Sequence, residues 1–180
     1  MSKIYQLKIK LLKTKPVAWR RIQVNSSAKF WDIHVIIRDT MVWTDAQPHY
    51  FKIVDDKKKE IIIRSYLDEY ENNKFPLSWN IGIKKYIAND KYKIYYVYGT
   101  NENHVHLITL EKIVYKQLKQ RYPQCLSGTG NPSEEDSEEK TPLAKKVESA
   151  YKFNVDHIAI EAPFRALHEH KIRLFDELYS

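Results

Sequence analysis

The sequence predicts an α+β protein built on a β-grasp-like mixed sheet, and three observations carry that expectation. Apolar and polar residues alternate from Ile4 to Leu12, with the two-residue period of a half-buried strand. Lys13-Thr14-Lys15-Pro16 breaks the run, and Val17 to Val24 reads as the returning strand of a hairpin. An apolar stripe of Phe30, Ile33, Ile37 and Met41 then recurs at helical spacing. A hairpin feeding a helix that crosses the sheet is how a β-grasp fold begins.

Each later element has its own local reason. Tyr5, Leu7, Ile9 and Leu11 share one face of the first strand, while Gln6, Lys8 and Lys10 share the other. In the second strand Ile22 and Val24 oppose Trp19, Arg21 and Gln23. Asn25-Ser26-Ser27 supplies capping chemistry for the helix that ends near Trp43. Pro48 to Val54 and Glu60 to Arg64 read as short strands around the turn Asp55-Asp56-Lys57-Lys58. Tyr66 to Ser78 has no clean period and reads as loop, and Ile81 to Ala88 as a short helix. Tyr92 to Tyr98 and His104 to Val114 form a second hairpin across a turn rich in Gly and Asn. Two helices are expected to close the chain, one primed by Thr141-Pro142 and one beginning near Pro163.

These elements divide the chain into a core domain at 1–127, a flexible acidic loop at 128–140, and a helical segment at 141–180 that packs on the core. The loop holds Glu134, Glu135, Asp136, Glu138 and Glu139 with no apolar residue to bury.

At 180 residues the chain suits a single domain with an added helical piece. Hydrophobic residues make up 43% and charged residues 29%, ordinary values for a globular protein with a real core. No apolar run approaches the ~20 residues of a membrane span, and Met1 to Tyr5 is strand-like rather than a signal-type apolar block. Cys125 is the one cysteine, which excludes an internal disulfide and any multi-thiolate zinc site. A cytoplasmic setting without membrane association is the expectation. The net charge of +7 is concentrated, because residues 1–24 hold seven Lys and Arg and no acid. Charge gathered in this way attracts an anionic partner.

The run Lys15-Pro16-Val17-Ala18-Trp19-Arg20-Arg21-Ile22-Gln23-Val24 and the helix with His34 ending at Trp43 carry a family resemblance. His49 and Phe51, and the run Tyr96 to Glu111 followed by Lys112-Ile113, extend it, with an echo at Tyr122 to Gly128 and at Phe153 to Asp156. In these places the chain resembles the plasmid pRiA ORF-three-like family. The resemblance implies the fold and a passenger of mobile elements, and it implies no particular chemistry. Val97, Thr100 and Gln47 stand where the family usually has aspartate, aspartate and histidine, so no site is carried over from it.

Two constellations remain as candidate sites. Lys8, Lys10, Trp19, Arg20 and Arg21 combine cations with a stacking-capable ring in one hairpin, as single-strand binders do. The competing reading is a solvated strand face, since edge lysines also guard against aggregation. His104 and His106 alternate on one strand and, with His49, Glu102 or Glu111 as a third ligand, would suit zinc. Without a third ligand they are two polar side chains beside a turn. His34 reads as a core histidine bonded to backbone, and Cys125 as a small hydrophobe rather than a reactive thiol. No phosphate loop, nucleophile elbow, HExxH run or nucleotide fingerprint is present, so no catalytic residue and no cofactor are assigned. The expectation is a non-enzymatic binding or adaptor protein with a nucleic acid, another anion or a protein as partner. The alternative is a metal-dependent or nucleic-acid-processing enzyme using the histidines.

Overall fold

A computed structural model describes residues 2–15, 17–43, 48–65, 75–99, 104–130, 160 and 171. The first hairpin forms where the alternation places it, as β1 (Lys3–Leu11) and β2 (Trp19–Asn25). Tyr5 pairs with Val24, Leu7 with Ile22 and Ile9 with Arg20, so the apolar sets of the two strands fall on one face. Helix α1 (Phe30–Met41) follows. Its first turn is closed by Asp32, whose carboxylate accepts the Lys29 backbone N–H at 3.0 Å, and not by the expected Asn25-Ser26-Ser27. It ends at Val42 in the left-handed conformation (φ 62°), with the Trp43 N–H returning to the Arg38 carbonyl at 2.9 Å.

Strands β3 (His49–Val54) and β4 (Glu60–Arg64) make a hairpin. Its turn is held by Asp55, which accepts the N–H groups of Lys57 and Lys59 at 2.9 and 2.8 Å. A single helical turn, α2 (Lys84–Ile87), leads to the second hairpin, β5 (Lys93–Tyr98) and β6 (His104–Tyr115). Strand β7 (Gln124–Thr129) pairs with β2. It has no counterpart among the expected strands, and it includes Gly128 and Thr129, the first residues of the expected acidic loop.

The expected β-grasp-like mixed sheet is overturned. All seven described strands join one antiparallel sheet in the order β4-β3-β5-β6-β1-β2-β7. A β-grasp sets a later strand parallel beside the first. Here the free edge of β1 takes β6 antiparallel, from Lys3 opposite Tyr115 to Leu11 opposite His106. Helix α1 therefore crosses β1, β6 and β5 before β3 joins the sheet, and the second hairpin fills the gap beneath it. Among the described residues the structure is mostly β, with α1 and α2 as its named helices. The two helices expected over 141–180 fall outside the described residues. Of that segment Ile160 packs against the core, and the Lys171 ammonium lies 5.4 Å from the Trp79 ring. No described helix is long and apolar enough to cross a membrane.

The core lies between α1 and one face of the sheet. Tyr5, Leu7, Ile9 and Leu11 meet Phe30, Ile33, Ile37 and Met41 there, joined by Phe51, Ile53, Tyr96 and Ile108. A second cluster of Trp31, Val35 and Trp79 covers the far side of α1.

Candidate functional site

The inner face of the sheet gathers the histidines. His104 and His106 alternate on β6, so both face α1, with Tyr98 and Tyr96 of β5 as their cross-strand partners. His49 of β3 lies beyond Tyr98 in the same row. The His49 ring stacks on His34 of α1 with centroids 3.6 Å apart and planes 4° from parallel. His34 is fully buried, and its Nδ1 meets the Tyr96 hydroxyl at 2.9 Å, where the sequence suggested a backbone partner. Trp43 packs on Tyr98 at 5.0 Å, on His104 at 4.5 Å and edge-on to His106 at 6.1 Å.

His49, His104 and His106 thus share one sheet face, but tyrosines stand between His49 and the β6 pair. Among the described residues no three His, Cys, Asp or Glu side chains are placed to hold a metal ion. His106 is fully buried. Burial, with the nearby His104 second, drives its pKa down to about 3, so the ring is neutral. Glu102 lies outside the described residues, and Glu111 faces the other side of the sheet. Cys125 packs against the core, where burial pushes its thiol pKa up, so it is a poor nucleophile.

Arg20 also points inward. Its Nε donates to the Thr40 carbonyl at 2.6 Å, and its Nη1 to the carbonyls of Trp19, Thr129 and Gly130 at 2.9, 2.9 and 3.0 Å. It ties the end of α1 to the end of β7, so it is separated from the other four residues of the expected basic face.

Those four come together on the outer face. The register sets Lys8 between Arg21 of β2 and Thr109 of β6, and Lys10 between Trp19 and Leu107. Leu107 continues the second row to Tyr95 of β5. The Lys8 ammonium and the Arg21 guanidinium both lie against the Trp19 ring, 4.9 and 5.2 Å from its centroid. Lys10, Thr109 and Lys112 are exposed, whereas Ile4 and Val97, at the two ends of this face, are buried. The open part is the middle of the sheet.

Glutamates and glutamines organise this window. Arg21 grips Glu111 with two bonds, Nε to Oε2 at 2.6 Å and Nη2 to Oε1 at 2.8 Å. The Gln6 amide donates to the same Oε2 at 2.9 Å. Hydrogen bonds to Arg21 and Gln6, helped by the charges of Arg21 and Lys8, hold the Glu111 carboxyl at about 2. Beside the window a cleft of about 540 Å³ opens between the turn after α2 and β6. Asn89, Tyr92, Tyr95, Leu107 and Thr109 are among its lining residues, and its volume is within the range of ligand sites.

Sequence reasoning considered Glu111 only as a metal ligand, and it missed Lys112 and Tyr95. Nothing local showed that β6 would lie against β1.

The fold is seen elsewhere. A crystal structure of a protein of unknown function from Methanosarcina mazei Go1 superposes with a TM-score of 0.63 at 28% sequence identity, over 71% of this chain and 70% of that one. No curated protein matches the chain. The family model described as plasmid pRiA4b ORF-3-like protein matches residues 3–175, close to the entire length and including all three hairpins, α1 and β7. This chain belongs to the plasmid pRiA4b ORF-3-like protein family.

Proposed function

We propose that the protein is a binding module that holds single-stranded nucleic acid against the outer face of its sheet. The observation that carries the reading is the register, which sets Lys8 and Lys10 of β1 beside Trp19 and Arg21 of β2 and near Lys112 of β6. Cations interleaved with rings suit a strand whose phosphates need counter-charge and whose bases stack or enter a pocket. Trp19 supplies a ring within the cation row. Tyr95, three strands along the same cross-sheet row, opens onto the adjoining cleft. An open sheet face fits a splayed single strand better than it fits the groove of a duplex.

Fluorescence anisotropy with labelled oligo-dT and oligo-U tests this. Four phosphate contacts imply a log–log salt slope of roughly −3, at about −0.7 per contact. Reversal of Lys8 and Lys10 to Glu should weaken binding to both homopolymers alike and leave the protein folded. Absence of binding at ~50 mM salt, or binding insensitive to salt, rejects the reading.

A further inference from the structure

Three donors on the outer face converge on one point: Arg21 Nε, Arg21 Nη2 and Gln6 Nε2. Their aim is set from behind. Arg21 Nη1 is tied to Ser127 Oγ at 3.2 Å. The Gln6 amide is the last link of a one-way relay in which each amide nitrogen donates to the next amide oxygen. It runs from Gln120 to Gln124 at 2.6 Å, on to Gln23 at 2.8 Å and to Gln6 at 3.1 Å. A flip of any one amide would oppose acceptor to acceptor, so the relay and the Glu111 carboxylate together hold Gln6 with its N–H outward. Lys8 adds positive charge beside this point.

The group held there is the Glu111 carboxylate, and the ladder is irregular where it sits. Gln6 faces Lys112 and Leu7 faces Leu110, so Glu111 is the extra residue of a bulge. A bulge re-aims a side chain at the expense of ladder regularity. The Arg21 and Glu111 side chains remain 33% and 22% exposed, so a solute can reach both.

We infer that Arg21, Gln6 and Lys8 form an oxyanion site for a backbone phosphate, and that Glu111 is its internal competitor, displaced when a strand binds. The inference rests on the nucleic-acid reading above. Two carboxylate oxygens on a guanidinium fork present the geometry that two phosphate oxygens present. A phosphate that takes the fork must expel Glu111, and this lowers affinity for weak anions while leaving the donors in place.

The test is anisotropy of labelled oligo-dT with the parent, Glu111→Gln, Glu111→Ala, and Glu111→Gln combined with Arg21→Gln. Removal of the competitor should tighten binding roughly two- to fivefold and leave the salt slope as it is in the parent, because the same phosphates are contacted in both. Adding Arg21→Gln should abolish the gain. Thermal melts identify a variant that fails to fold, and the two Glu111 replacements give independent readings. If the parent binds and both folded Glu111 variants bind equally or more weakly, Glu111 is a brace and the competitor is rejected while the nucleic-acid reading stands. Binding by Glu111→Gln alone, lost with Arg21→Gln, supports the site but removes nucleic acid as the resting ligand of the parent. No binding by any of the proteins at ~50 mM salt rejects both.

Discussion

Burial of His106 makes the folded protein sensitive to mild acid. Its pKa is about 3 in the fold against 6.5 for an exposed imidazole, so between these values the unfolded chain takes the proton first. Stability therefore falls as pH drops through this window, by about 1.4 kcal/mol per unit near its middle. Glu111 acts lower down. Its carboxyl is held at about 2 against 4.5, so its contribution is present above 4.5 and is lost as pH falls toward 2. Replacing His106 by Phe keeps a ring against Trp43 and Tyr96 and removes the protonation. Urea midpoints measured from pH 7 to 5 should then decline less steeply than in the parent, and an identical decline would reject this role. Trp43, 7% exposed, packs on three rings. Its replacement by Ala should cost ~3–5 kcal/mol, read as the same fall in denaturant stability. At this scale much was legible, because alternation alone placed Lys8 and Lys10 opposite Leu7 and Ile9. Arg20 was not. The alternation sets it on the face of Ile22 and Val24, but its neighbours mark a cationic strand, and the carbonyls of Thr40, Thr129 and Gly130 are what satisfy a guanidinium there.

At the scale of elements, α1 ends on an unfavourable residue. Val42 holds φ 62° with its side chain 69% exposed. A β-branched residue in the left-handed region costs roughly 1–2 kcal/mol, and packing of an exposed side chain returns little of it. Val42→Gly relieves that strain against a loss of roughly 0.5–1 kcal/mol from the greater freedom of the unfolded chain. The net expectation is a higher melting temperature by a degree or more. A lower one would mean that Val42 is held by contacts worth more than its strain. The helix itself was legible from its stripe of Phe30, Ile33, Ile37 and Met41, but its cap was not. Asn25 to Ser27 has the better composition, yet the chain reaches helical geometry only at Phe30, where Asp32 is the carboxylate in reach. Strand β7 was missed for a related reason. Gln-Cys-Leu-Ser-Gly-Thr alternates weakly, and it becomes a strand through its pairing with β2.

At the scale of the molecule, sheet order is a property of long-range pairing, and local pattern is silent on it. Both hairpins and the crossing helix were readable, but which hairpin edge meets which was not. That single choice separates a mixed β-grasp from the antiparallel sheet and creates the outer window, since Glu111 and Lys112 reach Arg21 and Gln6 only because β6 lies against β1. The same order sets a hierarchy of stability. β1 is bonded on both sides and buries Leu7 and Ile9 completely, whereas β4 and β7 are edges. Amide exchange should therefore be slowest in β1 and β6 and faster in both edge strands. The two edges differ in how they are held, because Arg20 binds the carbonyls at the end of β7 and at the end of α1 with one guanidinium. Lysine is a point charge and cannot span these acceptors as a fork does. Arg20→Lys should accordingly speed exchange across Gln124–Thr129 and at the last turn of α1, and leave the β3–β4 hairpin unchanged. Uniform acceleration over all strands would mean that Arg20 supports the sheet as a whole, and no change would mean that β7 is held by its ladder alone.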